Sequence, residues 1–123
     1  MGYCITHENG SISFKKENVE KIKEAISKLD EDILRWSSIT VGKDISIEKT
    51  FEDLRYGVTE YDDHYEIDEF LGEKYGNDDT IFEAIAPYCE DGFLEFLGED
   101  GERFRFYIED GNFKEKYATI VWE

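Results

Sequence analysis

The segment Phe93-Leu94-Glu95-Phe96-Leu97, followed by Gly98-Glu99-Asp100-Gly101 and then by Glu102-Arg103-Phe104-Arg105-Phe106-Tyr107-Ile108, decides the fold class. Phe104, Phe106 and Ile108 alternate with Arg103, Arg105 and Tyr107, and a period of two puts successive side chains on opposite faces of a strand. The acidic tetrad between the two runs reads as a hairpin turn, and Asp110-Gly111 reads as a second. Tyr117 to Trp122, rich in β-branched and aromatic residues, then supplies a third strand. The expectation is an α+β fold in which an antiparallel sheet, including this C-terminal three-stranded meander, packs one face against two or three short helices.

Working back from the meander, Ile81, Phe82, Ile85 and Ala86 share one helical face. Thr80 and Glu83 have capping-box spacing, and Pro87 bends or ends that helix. Val58 to Tyr61 and Tyr65 to Phe70 read as strands joined across Asp62-Asp63-His64. Ile47, Phe51 and Leu54 suggest a short helix ending at Gly57, with Thr50 and Asp53 as a capping box. Val19, Ile22, Ile26 and Leu29 form the apolar stripe of an earlier helix. No regular element is assigned between Asp30 and Lys43. Near the start, Asn9-Gly10 lies between the apolar-rich stretches Gly2 to Thr6 and Ser11 to Phe14, and such a dipeptide signals a hairpin.

At 123 residues the chain is sized for one domain, residues 1–123. Aromatic residues make up 15%, which sets it apart from disordered acidic tails. There is no apolar run long enough to span a membrane and no basic-then-apolar secretory leader, so the expected location is the cytoplasm. Cys4 and Cys89 are too few for a disulfide framework and read as small core hydrophobes.

Charge is unevenly distributed. The formal net charge is −17, from 31 acids and 14 bases. Residues 1–43 hold seven of each, so the whole excess sits in residues 44–123. A field of this sign repels nucleic acid and anionic membranes and attracts basic surfaces. The first cluster comprises Glu60, Asp62, Asp63, Glu66, Asp68, Glu69, Glu73, Asp78 and Asp79; the second includes Glu90, Asp91, Glu95, Glu99, Asp100, Glu102, Glu109 and Asp110.

Catalytic chemistry finds little support. The two histidines, His7 and His64, lie far apart in sequence, and His64 beside Asp62 and Asp63 reads as a turn histidine with raised proton affinity. Neither thiol has a neighbouring base, no nucleophile-elbow motif occurs, and Gly98 and Gly101 sit in an acidic turn that repels phosphate. The expectation is a non-enzymatic protein with no metal or cofactor.

The stretch Phe93 to Gly111, with Gly-Glu-Asp-Gly-Glu at 98–102 and the alternating Arg-aromatic strand after it, resembles small acidic proteins of phages and other mobile elements. It also resembles uncharacterised bacterial proteins that begin Met-Gly-Tyr and end in the same meander. The likeness covers the start and the C-terminal third. It implies a mobile-element origin, where small acidic proteins often inhibit host defence, and it carries over no functional residue.

Together, charge and resemblance lead to an expected DNA mimic whose partner is a basic protein surface, such as a CRISPR or restriction nuclease, without direct contact to nucleic acid or membrane. The candidate contacts are Glu60, Asp62, Asp63, Glu66, Asp68, Glu69, Asp78 and Asp79, with Glu99 and Asp100 as a second contact. Two other readings compete. The acidity could serve solubility alone, or the chain could be an interaction module with an aromatic patch at Tyr107, Tyr117 and Trp122.

Overall fold

A computed structural model describes residues 3–29, 45–76 and 78–118. Its strands are β1 (Tyr3–Lys15), β2 (Tyr56–Glu60), β3 (His64–Phe70), β4 (Lys74–Tyr75), β5 (Gly92–Gly98), β6 (Arg103–Glu109) and β7 (Asn112–Tyr117). The α-helices are α1 (Val19–Ser27), α2 (Ile47–Asp53) and α3 (Asp78–Ile85), and 3-10 turns cover Lys16–Asn18 and Ala86–Tyr88. All described strand pairs are antiparallel, in the order β2-β3-β1-β5-β6-β7 with β4 also on β1.

The meander forms as the alternation requires. Leu94, Phe96, Phe104, Phe106 and Ile108 are buried on one face, against Ile81, Phe82 and Ile85 of α3 and Ile22 and Ile26 of α1 in a single core cluster. Its third strand is earlier than the sequence suggested: Asn112–Tyr117 pairs with β6, because the tight Asp110-Gly111 turn returns the chain at once. Thr119 to Trp122 lie outside the described residues, as do residues 30–43.

The expected N-terminal hairpin does not form. Residues 3–15 are one strand, and Asn9-Gly10 belongs to a bulge within it, where the register with β5 shifts between His7 and Asn9. The extra residue reverses the side-chain parity, so Ile5 before the bulge and Ile12 and Phe14 after it all reach the core. This strand is the hub of the sheet. Ile12 to Lys15 pair with β3, Tyr3 and Cys4 with β4, and Ile5 to Ser11 with β5.

Helix ends also differ from expectation. The cap of α2 is Ser46, whose hydroxyl accepts the Lys49 N–H at 3.1 Å, while Thr50 is buried inside the helix. That helix stops at Leu54, Arg55 takes the left-handed turn conformation (φ 75°), and Gly57 lies inside β2. Helix α3 starts at Asp78, inside the stretch 77–80 where the sequence places its beginning, and Thr80 lies within the helix rather than at its cap.

Candidate functional site

The candidate residues divide between the two ends of the sheet. Along its thirteen residues β1 spans about 40 Å. At its Lys15 end stands the β2–β3 turn with Glu60, Asp62 and Asp63; at its Tyr3 end stand Glu99 and Asp100 of the β5–β6 turn and Asp78 and Asp79 of α3. Glu66, Asp68 and Glu69 lie along β3 between them.

At the Lys15 end, Glu60 accepts Lys16 Nζ at 2.8 Å, a bond that raises the lysine's pKa. Asp62 is exposed. Asp63 accepts His64 Nδ1 at 2.6 Å, holding the carboxyl below and the imidazole above their ordinary values, as the histidine's place in the turn predicted. The His64 ring stacks on Tyr61 with centroids 4.8 Å apart. On the uncovered sheet face Glu66 accepts the Ser11 hydroxyl at 2.9 Å, Asp68 accepts the Thr59 hydroxyl at 2.7 Å, and Glu69 is exposed.

Asp78 is not a surface residue. It is 0% exposed and accepts the Tyr56 hydroxyl at 2.6 Å, the Gly76 N–H at 2.7 Å and Arg55 Nη2 at 3.3 Å. It is therefore corrected from a candidate contact to a structural residue, because its neighbours consume the oxygens a partner would need. Asp79 beside it is partly exposed. Glu99 accepts the Cys4 N–H at 3.0 Å, and Asp100 accepts the Tyr3 hydroxyl and the Glu102 N–H.

Acids absent from the candidate set complete the Lys15 end. The Glu90 N–H donates to the Ser13 carbonyl at 2.8 Å, and the Asp110 N–H donates to Asp91 Oδ1 at 2.9 Å. Glu90, Asp91, Glu109 and Asp110 thus join Asp62 and Asp63 on one rim. Turn parity in the sequence already contains this signal: in a meander the start of β5 and the β6–β7 turn share an end, and the β5–β6 turn takes the other. Counting Glu17 and Glu60 as well, eight acids face Lys15, Lys16 and Lys114 there, an excess of five. Across five strand spacings the rim is about 24 Å wide.

The uncovered face of the meander is mixed in charge, with its arginines paired to acids. Arg105 bonds Glu95 at 2.7 Å and lies 4.5 Å over the Phe93 ring; Arg103 reaches Glu8 and Glu95 at 3.4 and 3.3 Å. Lys114 pairs with Glu109 at 3.3 Å, and Lys116 sits 5.1 Å over the Tyr107 ring. Tyr107 and Tyr117 both line one open cavity of about 410 Å³ at the edge of the meander, together with Arg103, Arg105 and Lys116, although Tyr117 pairs with buried Phe104 in the ladder. Trp122 is outside the described residues.

Among the described residues no three His, Cys, Asp or Glu side chains converge as a metal site requires, and no helix is long and apolar enough to cross a membrane. Burial pushes the Cys89 thiol up to about 12, which makes it a poor nucleophile. No family model matches the chain, and no curated protein or solved structure matches it either.

Proposed function

We propose that this protein is an inhibitory DNA mimic that presents its carboxylate rim to the cationic groove of a nucleic-acid-targeting defence enzyme, such as a CRISPR or restriction nuclease. The observation that supports this is the assembly of Asp62, Asp63, Glu90, Asp91 and Asp110 on one rim from three separate stretches of chain. Duplex DNA carries one charge per about 1.7 Å, so a 24 Å length presents roughly fourteen, and the rim matches this array in sign and extent at lower density. Association with a basic groove is steered by the long-range field and weakens with salt. The meander face, where Arg103 and Arg105 are paired with Glu8 and Glu95, carries no acid excess of this kind, so the field favours the rim as the side that meets the partner. The resemblance to mobile-element proteins agrees with such a target.

Reversing Asp62, Asp63, Glu90 and Asp91 to lysine together is expected to abolish inhibition of DNA cleavage across a panel of CRISPR and restriction nucleases, while the circular dichroism and melting curve stay close to those of the parent. These four side chains lie outside the core, so the change acts mainly on the field, and what it removes locally is surface contacts: Asp63 with His64, Glu90 with Lys15, and the Asp110 N–H with Asp91. Unchanged inhibition by the quadruple variant, or a parent protein that inhibits no member of the panel, would reject the proposal.

A further inference from the structure

At the Tyr3 end of the sheet an open cavity of about 300 Å³ is lined by Tyr3, Tyr75, Phe104 and Tyr117, with Asp100 and Glu102 at its edge. Four aromatic rings around one hollow, with carboxylates beside them, match the chemistry that holds organic cations: ring faces are negative, and the nearby acids deepen that potential. The rings are fixed in place. Glu115 accepts the Tyr75 hydroxyl at 2.9 Å on one oxygen and the Tyr117 hydroxyl at 2.7 Å on the other. Tyr75 stands edge-on to Phe104 at 5.8 Å, and Phe104 lies 5.6 Å from Tyr117. The Tyr3 phenol crosses the site where Gly98 has no side chain, since a Cβ there would lie 1.6 Å from its hydroxyl oxygen, and it ends on Asp100. With the hydroxyls of Tyr3, Tyr75 and Tyr117 bonded to carboxylates, the aromatic carbons form the apolar part of the lining. The carboxylate bond to Asp100 raises the Tyr3 pKa to about 12, and the bond to Glu115 raises that of Tyr117 to about 12, so both phenols stay neutral at physiological pH.

We propose that this cavity binds an organic cation whose charge is borne on apolar carbons, either a small quaternary ammonium or the side chain of a lysine or arginine. The inference stands on the cavity alone and does not rest on the rim at the other end of the sheet. A hydrated inorganic ion is a poorer occupant, because it gains little from the apolar ring faces and must shed its water to reach them.

The test is a titration of the full chain, followed by the NMR signals of the tyrosine rings at constant ionic strength set with sodium chloride. The probes are choline, its uncharged isostere 3,3-dimethyl-1-butanol, and the Nα-acetyl amides of lysine and arginine. Choline or the amino-acid amides are expected to shift the rings of Tyr3, Tyr75 and Tyr117 saturably, with the alcohol much weaker. Tyr117→Ala, at a position 54% exposed and therefore safe for the fold, is expected to weaken cation binding roughly five- to thirtyfold. Asp100→Asn is expected to weaken the cations and leave the alcohol unchanged. Tighter binding of the amides than of choline assigns the cavity to a partner's side chain, and the reverse order assigns it to a free quaternary ammonium. Equal binding of choline and the alcohol, no saturable ring shift with any cation, or full affinity in Tyr117→Ala would overturn the proposal.

Discussion

Replacing Asp78 by alanine is expected to destabilise the fold by about 3 kcal/mol, a large part of the roughly 5–15 kcal/mol that holds a domain of this kind together. Two contributions set the size. The Tyr56 hydroxyl, on a side chain that is 0% exposed, loses its acceptor and is left without water, which costs about 1–3 kcal/mol. The ion pair with Arg55 at 3.3 Å is also lost; because that arginine is 25% exposed, solvent offsets part of the penalty a fully buried pair would carry. The Gly76 N–H ahead of α3 loses an acceptor too, so the entry to the helix loosens as well. Asp79→Ala, one residue along and partly exposed, is expected to change stability by no more than about 0.5 kcal/mol. Urea unfolding of the two variants provides the comparison, and equal midpoints would show that the buried network contributes nothing. The same contrast bears on function: a charge reversal at Asp78 would remove binding by unfolding the protein, so it cannot serve as an interface mutation.

Gly10→Ala is expected to cost about 2–5 kcal/mol. Gly10 has φ +83°, where a Cβ costs about 1–2 kcal/mol, and a Cβ would also lie 2.3 Å from the Phe93 carbonyl oxygen, with overpacking worth about 1–3 kcal/mol more. Gly101 supplies the control. Its φ is +85°, but nothing lies within 4 Å of the added carbon, so Gly101→Ala should show the backbone strain alone. Chemical denaturation of both variants separates the two effects, and equal losses would mean that the β1 bulge does not press against β5.

Much of the architecture is legible in the residues because the sheet has two unlike faces. Phe104, Phe106 and Ile108 must be buried if Arg103 and Arg105 are not, and the core obeys. Reading breaks down where a residue is inserted. The alternation of Tyr3 and Ile5 is out of phase with that of Ile12 and Phe14, and a turn at Asn9-Gly10 explains the phase break as well as a bulge does; only the long-range partners Phe93 to Gly98 decide for the bulge. Caps mislead too: Thr50 and Thr80 have capping-box spacing, but buried Ile47 extends α2 ahead of Thr50, and Asp78, held by Tyr56, Arg55 and Gly76, extends α3 ahead of Thr80.

The candidate site is less legible than the fold. Sequence proximity joins Asp62, Asp63, Asp78 and Asp79 into one cluster, whereas the intervening strand carries the second pair to the far end and encloses Asp78 among Tyr56, Arg55 and Gly76. Conversely, Asp91 and Asp110 stand apart in sequence and meet where the Asp110 N–H donates to the Asp91 carboxylate. The tyrosine cavity had no sequence signature at all, since its four rings come from four different strands and only the absent side chain of Gly98 lets Tyr3 lie among them.

The position of β1 at the centre of the sheet has a kinetic consequence. Its partners are Tyr75, Ile67 and Gly98, so almost none of its pairing energy comes from residues nearby in the chain. Closing such long loops before any reward is gained places the protein among slow folders, with relaxation in about milliseconds to seconds, and stopped-flow refolding in microseconds would contradict this. During synthesis the middle of β1, Ile5 to Ser11, waits for its β5 partner until the start of the meander has left the ribosome.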